Sequence, residues 1–242
     1  MRALKRVVLV FLAVLLCFLS GCYSKKTVPT ASLGEEYRPL IEKYREYIEY
    51  ALGYEDEIAV KNRPFEYPQD DPDLYWYNNW VVSFLYGKDY FAKRNSFGYA
   101  IKDLNGNGSP ELILLLKNGT VLAIFSFVNN KPNGLGVFWD RHNCEINDLG
   151  ILYTHTSSGA GHWEDRIQEI SQDDSKLLLV EQYGIDGRAT GDGYYKIIDE
   201  EKYLISESEL FEATRRMENM FPVGVCEGKT EIMGLEYIPL FD

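Results

Sequence analysis

Between Asp103 and Glu111 the chain reads Asp-Leu-Asn-Gly-Asn-Gly-Ser-Pro-Glu, with an oxygen donor at every second position. Asp103, Asn105 and Asn107 offer side-chain oxygens, Ser109 a main-chain carbonyl, and Glu111 a second carboxylate. A hard divalent cation such as calcium takes about six to eight oxygens of these mixed kinds. Alternate residues of a tightly curled loop can aim such oxygens at one point, and Gly108 permits the sharp turn because glycine tolerates positive φ. The EF-hand register fails at its last position, where Leu114 stands in place of a bidentate Glu. With only two formal carboxylates, the expected affinity falls near 10⁻⁴ to 10⁻³ M, roughly the range of extracellular modules. The alternative is a turn whose Asn and Asp side chains bond their own backbone. That explains Asn-Gly-Asn-Gly but has less need of Asp103 and Glu111 in register. In either reading the loop is structural, and we expect no catalytic residue in it.

Apolar residues precede the loop from Tyr99 and follow it from Leu112, so the segment reads as strand, loop, strand. The spacing resembles the calcium loops of FG-GAP and VCBS-type repeats, Asp-x-Asp-x-Asp-Gly-x-x-Asp. Asp103, Asn105, Asn107, Gly108 and Glu111 match it, with Asn replacing Asp twice and Glu replacing the last Asp. The wider stretch YAIKDLNGNGSPELILLL is similar to uncharacterised secreted lipoproteins of Gram-positive bacteria. That resemblance implies one calcium hairpin within an α+β domain. A propeller needs several copies, and one is present.

Other chemistry is weaker. The segment His155 to Asp165 holds His155, His162, Glu164 and Asp165, the material of an envelope hydrolase. Gly159 and Gly161 instead suggest a loop between strands, and Ser157 and Ser158 lack a nucleophile elbow. His142 and Cys144 would share a strand face, without an orienting acid beside them. Asp186-Gly187 and Gly191-Asp192-Gly193 form an acidic, glycine-rich connection lacking alternating oxygens. No Walker A loop, nucleotide fingerprint or HExxH helix is present.

The expected fold class is α+β, with N-terminal amphipathic helices, an antiparallel β-meander of several strands and a C-terminal helix. Tyr37, Leu40, Ile41, Tyr44 and Ile48 keep helical spacing, and Pro39 places the helix start nearby. Asp73 reads as the N-cap of a second helix over 74–86, whose Trp76, Trp80 and Phe84 suit a core face better than a sugar platform. Strands are expected over 99–102, 111–117, 121–128, 134–140, 145–147, 151–155, 165–171, 176–182, 194–198 and, in the tail, 236–240. Asn118-Gly119 is a strong hairpin signal. Ser206 with Glu209 makes a capping box for a helix running to Phe221.

At the start, Arg2, Lys5 and Arg6 precede the apolar run Val7 to Leu19, the pattern of a signal peptide. Leu19-Ser20-Gly21-Cys22 closes it and resembles the lipobox of bacterial lipoproteins, which implies cleavage before Cys22 and acylation of that residue. The expected division is a signal peptide over 1–21, a flexible tether over 22–34 and one extracytoplasmic domain over 35–242. Losing residues 1–21 removes three positive charges and no negative ones, so a net charge of -12 becomes about -15. So acidic a body disfavours nucleic acid. The implied membrane link is the N-terminal lipid, with an unknown protein or glycan as further partner. Cys144 and Cys226 could form a disulfide or sit as two small buried hydrophobes.

Overall fold

A computed structural model describes residues 34–52, 94–139, 141–159, 161–187, 193–221, 231–232 and 234–241. The strand Glu111–Leu116 is buried at every position. Leu112, Leu114 and Leu116 enter one apolar cluster, Ile113 and Leu115 another on the opposite face. A strand covered on both faces reads as an unbroken apolar run instead of an alternating one.

That strand is β2 of a five-stranded sheet with β1 (Phe97–Lys102), β3 (Val121–Val128), β4 (Lys131–Val137) and β13 (Ile238–Pro239), ordered β13-β1-β2-β3-β4. A second sheet holds β5 (His142–Ile146), β6 (Leu152–Gly159), β7 (His162–Ile170), β8 (Leu177–Asp186), β9 (Tyr194–Ile198) and β10 (Glu201–Leu204), ordered β10-β9-β8-β7-β6-β5. Two short strands, β11 (Glu231–Ile232) and β12 (Leu235–Glu236), pair with each other. Every pairing is antiparallel.

Helix α1 (Arg38–Leu52) covers the outer face of the first sheet through Leu40, Ile41, Tyr44 and Ile48, with Tyr37 just ahead of it. Pro39 sits in its first turn, where no intrahelical donor is lost. Between the sheets, Ile113, Ile124, Cys144, Ile146 and Leu152 share one core. Helix α2 (Glu207–Asn219) covers the far face of the second sheet through Leu210, Ala213 and Met217. Ser206 and Glu209 cap it reciprocally, as their spacing anticipates.

The expected α+β class is therefore corrected. Among the described residues the body is mainly antiparallel β, two sheets around a shared core, with helices only on the outer faces. The single meander becomes two sheets because the β3 and β4 hairpin and the β5 to β10 run each close their own ladder. One N-terminal amphipathic helix is described rather than several. The helix expected over 74–86, the signal peptide, the tether up to residue 33, Cys22 and Cys226 all lie outside the described residues. Cys144 is buried with a free thiol, whose pKa burial pushes upward. No described helix is long and apolar enough to cross a membrane.

Candidate functional site

The β1 and β2 ladder closes at Lys102 paired with Glu111, so residues 103–110 span a gap between adjacent strands. The chain must curl to do so, and Gly106 and Gly108 take positive φ of 73° and 92°. Asp103 organises the curl. Its Oδ1 accepts from the Gly106 N–H at 2.8 Å and its Oδ2 from the Gly108 N–H at 2.8 Å. Asn105 Oδ1 accepts from the Asn107 N–H at 3.1 Å, and Asn107 Oδ1 from the Ser109 N–H at 2.7 Å. These are the bonds that the backbone-bonded turn calls for. A carboxylate oxygen has lone pairs to spare after accepting one N–H.

Glu111 differs from the other four. Its side chain is 0% exposed; Oε2 accepts from the Leu104 N–H at 2.8 Å, and Oε1 has no hydrogen-bond partner. Burial pushes its pKa up to about 8, the Leu104 N–H opposes this, and the nearby Asp174 and Asp103 charges add to it. No lysine, arginine or histidine among the described residues pairs with it. An orphaned carboxylate oxygen beside other carboxylates is costly to bury, and a bound cation is one chemistry that relieves it. A proton, which the raised pKa of Glu111 retains at neutral pH, relieves the same cost. Asp103, Asn105, Asn107, Ser109 and Glu111 would hold a bound cation. Among the described residues, no group of three or more His, Cys, Asp or Glu side chains stands together as a metal cluster, so amide and main-chain oxygens would have to contribute.

The loop is fastened from three sides. Leu104 is buried in the core between the sheets. Tyr37 Oη donates to the Pro110 carbonyl at 2.9 Å, tying the start of α1 to the end of the loop. The third fastening is one that spacing could not reveal. Asn105 Nδ2 and Asn107 Nδ2 both donate to Asp174 Oδ1 at 2.7 Å, and Asp174 belongs to the turn joining β7 to β8. Asp173-Asp174 reads in the sequence only as a turn, because its partner is some seventy residues away. Beside the loop lies an open cleft of about 420 Å³, lined by Asp103, Asn105, Asp148, Leu149, Glu169 and Gln172 among others.

The histidine segment forms a hairpin, β6 turning into β7, and its four candidate residues separate. Paired across the strands, His155 Nδ1 lies 2.7 Å from Asp165 Oδ1. Asp165 is fully buried and also accepts from Tyr153 Oη at 2.8 Å and from Thr214 Oγ1 at 3.2 Å. The Asp165 hydrogen bond holds the His155 pKa above its ordinary value, against the effect of burial. Glu164 pairs instead with Arg166 and accepts from Tyr195 Oη at 2.8 Å. His162 Nδ1 stands 3.5 Å from Asp186 Oδ1. No described hydroxyl or thiol is hydrogen-bonded to His155, and Asp165 knits β6, β7 and α2 together. The acidic connection 186–193 is described only at its ends.

His142 opens β5, on the same strand as Cys144. Its Nδ1 is 2.5 Å from Thr156 Oγ1 and its ring stacks on Phe138 with centroids 5.4 Å apart. Burial, assisted by the Arg166 charge, lowers its pKa to about 4. The unfolded chain takes up this proton near pH 6.5 and the folded chain only near pH 4. Stability from this group is therefore present above pH 6.5 and lost as pH falls toward 4. Since one pKa unit is about 1.4 kcal/mol, His142→Gln should blunt the acid loss by up to about 3 kcal/mol. Melting curves of both proteins at about pH 7 and about pH 4.5 check this, and parallel losses in the two would contradict it.

No protein family, curated protein or solved structure matches this chain.

Proposed function

We propose that the chain is a lipid-anchored extracytoplasmic protein, and that its domain is a non-catalytic binding or structural module braced by calcium at the loop 103–111. The observation that carries this reading is the buried Glu111 Oε1, partnerless at the base of a curl of alternating oxygens. The anchor rests on Cys22 closing the lipobox-like signal. One acyl chain alone holds a protein only marginally, so more than one chain on that residue is required for stable attachment. The acidic cleft beside the loop is the surface available to a protein or glycan partner.

A ligand bound only by the folded state adds RT ln(1 + [L]/Kd) to stability, about 2.7 kcal/mol at a hundredfold excess over Kd. For a chain of this size that is a rise in Tm of roughly 5–10 °C. Scanning calorimetry in EDTA and in millimolar calcium should show such a rise, and Asp103→Ala should lose it. A variant that keeps the full calcium response would overturn the site. Mass spectrometry of the membrane-extracted protein tests the anchor: the expected species begins at an acylated Cys22.

A second reading, an envelope hydrolase using the His155 to Asp165 segment, draws on the buried Asp165 orienting His155. It requires that His155→Ala abolish turnover of some ester, peptide or glycan while the fold persists. The network from Asp165 to Tyr153 and Thr214 favours the structural role.

A further inference from the structure

Asp165 stands beneath α2 and is 0% exposed. Its Oδ1 accepts from Tyr153 Oη of β6 at 2.8 Å and lies 2.7 Å from His155 Nδ1, while its Oδ2 accepts from Thr214 Oγ1 of α2 at 3.2 Å. Tyr153 and Thr214 bring no charge. Arg166, the next residue along β7, points to the other face of the sheet, where it pairs with Glu164. Arg216 of α2 donates through Nη2 to both oxygens of Glu181, at 2.9 and 2.8 Å, and to Tyr183, which stands opposite Asp165 on β8. Asn143, opposite His155 on β5, is a neutral amide. The remaining titratable groups around the pair supply no positive charge. They are Glu218 on α2, Glu145 on β5 and Tyr153, whose pKa burial and the Asp165 charge push upward. Among the described residues, His155 is the one cation available to Asp165. Its side chain is 39% exposed, so the imidazole exchanges its proton with solvent while the carboxylate stays sealed under the helix.

We propose that His155 and Asp165 form a proton-operated latch for α2, closed while the imidazole is protonated and loosened when the imidazole gives that proton to solvent. Neutral His155 can still donate an N–H, but Asp165 is then a lone negative charge beneath the helix, a costly state. Thr214 carries the change to α2, which covers Tyr153 and Ile167 through Met217. The Asp165 hydrogen bond makes the folded chain hold this proton more tightly than the unfolded one. The stability it contributes is therefore complete below pH 6.5 and is lost as pH rises through the higher folded value. His142 has the opposite sign, with its loss on the acid side. The latch is independent of the calcium reading of the loop.

The test is an NMR titration of the imidazole resonances of the full chain, with hydrogen exchange of residues 210–217 at about pH 6 and about pH 9, corrected for intrinsic exchange rates. His155 should titrate above 6.5. Glu111 also gives up a proton on this side, near 8, so a comparison with a variant decides. His155→Gln keeps a donor for Asp165 and has no proton to release. Between the two pH values, protection of 210–217 should fall at least about threefold more in the wild type than in His155→Gln. Asp165→Asn should bring the His155 midpoint down to 6.5 or below; the other two measurements decide if that variant does not fold. A wild-type midpoint at or below 6.5 would overturn the latch. Equal falls in protection in wild type and His155→Gln would assign the loosening to another group and overturn it too. So would a wild-type α2 whose protection is unchanged across the range.

Discussion

Glu111→Gln raises the melting temperature of the calcium-free protein at neutral pH and, in the same variant, removes most of the rise that calcium brings. The two signs come from one cause. Whether the buried carboxyl keeps its charge or takes up a proton, the folded chain bears a cost absent from the unfolded one. Glutamine avoids that cost. Its carbonyl can still accept from the Leu104 N–H, and its amide can donate toward Asp174. A gain of about 2 kcal/mol is expected, or roughly 4–8 °C for a chain of this size. A neutral carbonyl is a poorer calcium ligand than a carboxylate, so the increment in millimolar calcium shrinks. Calorimetry of both proteins in EDTA and in calcium reads both effects. A variant less stable in EDTA with an undiminished calcium response would make Glu111 a plain anchor for the Leu104 N–H.

Gly150→Ala reaches the same site from behind without touching a ligand. Gly150 takes a φ of +77° in the turn between β5 and β6, and a Cβ there would stand 1.9 Å from the Leu104 carbonyl oxygen. The backbone must move, because the obstructing atom is main chain. A left-handed non-glycine residue costs about 1–2 kcal/mol, and overpacking adds about 1–3 kcal/mol more. We expect Tm to fall by roughly 5–15 °C. Shifting Leu104 also moves the N–H that holds Glu111 Oε2, so calcium affinity falls with stability. A variant melting within about 2 °C of wild type would show that the Leu104 backbone is not held against this turn.

Local signals make much of the chain legible from its residues alone. The capping box at Ser206, the proline at the start of α1 and the unbroken apolar run through β3 each depend on neighbours a few residues apart. β10 escapes because Glu201–Leu204 is exposed throughout and so has no period of two. The turn before it places Asp199 and Glu200 at φ of 52° and 65° without a glycine to announce it. The fold class goes astray for a related reason. Helices and strands can be counted from periodicity, but which strands close into which sheet is decided by long-range pairing. The five candidate positions of the loop are legible because they lie within nine consecutive residues. The Asp174 contact with Asn105 and Asn107 is not, because it exists only after the second sheet has folded against the first.

Anomalous difference density from crystals of the protein grown with calcium tests the cation site most directly. One peak is expected in contact with the Asp103 and Glu111 carboxylates, the Asn105 and Asn107 side-chain oxygens and the Ser109 carbonyl. Density showing these groups ordered, with no peak among them at millimolar calcium and Glu111 Oε1 still without a partner, would rule the site out.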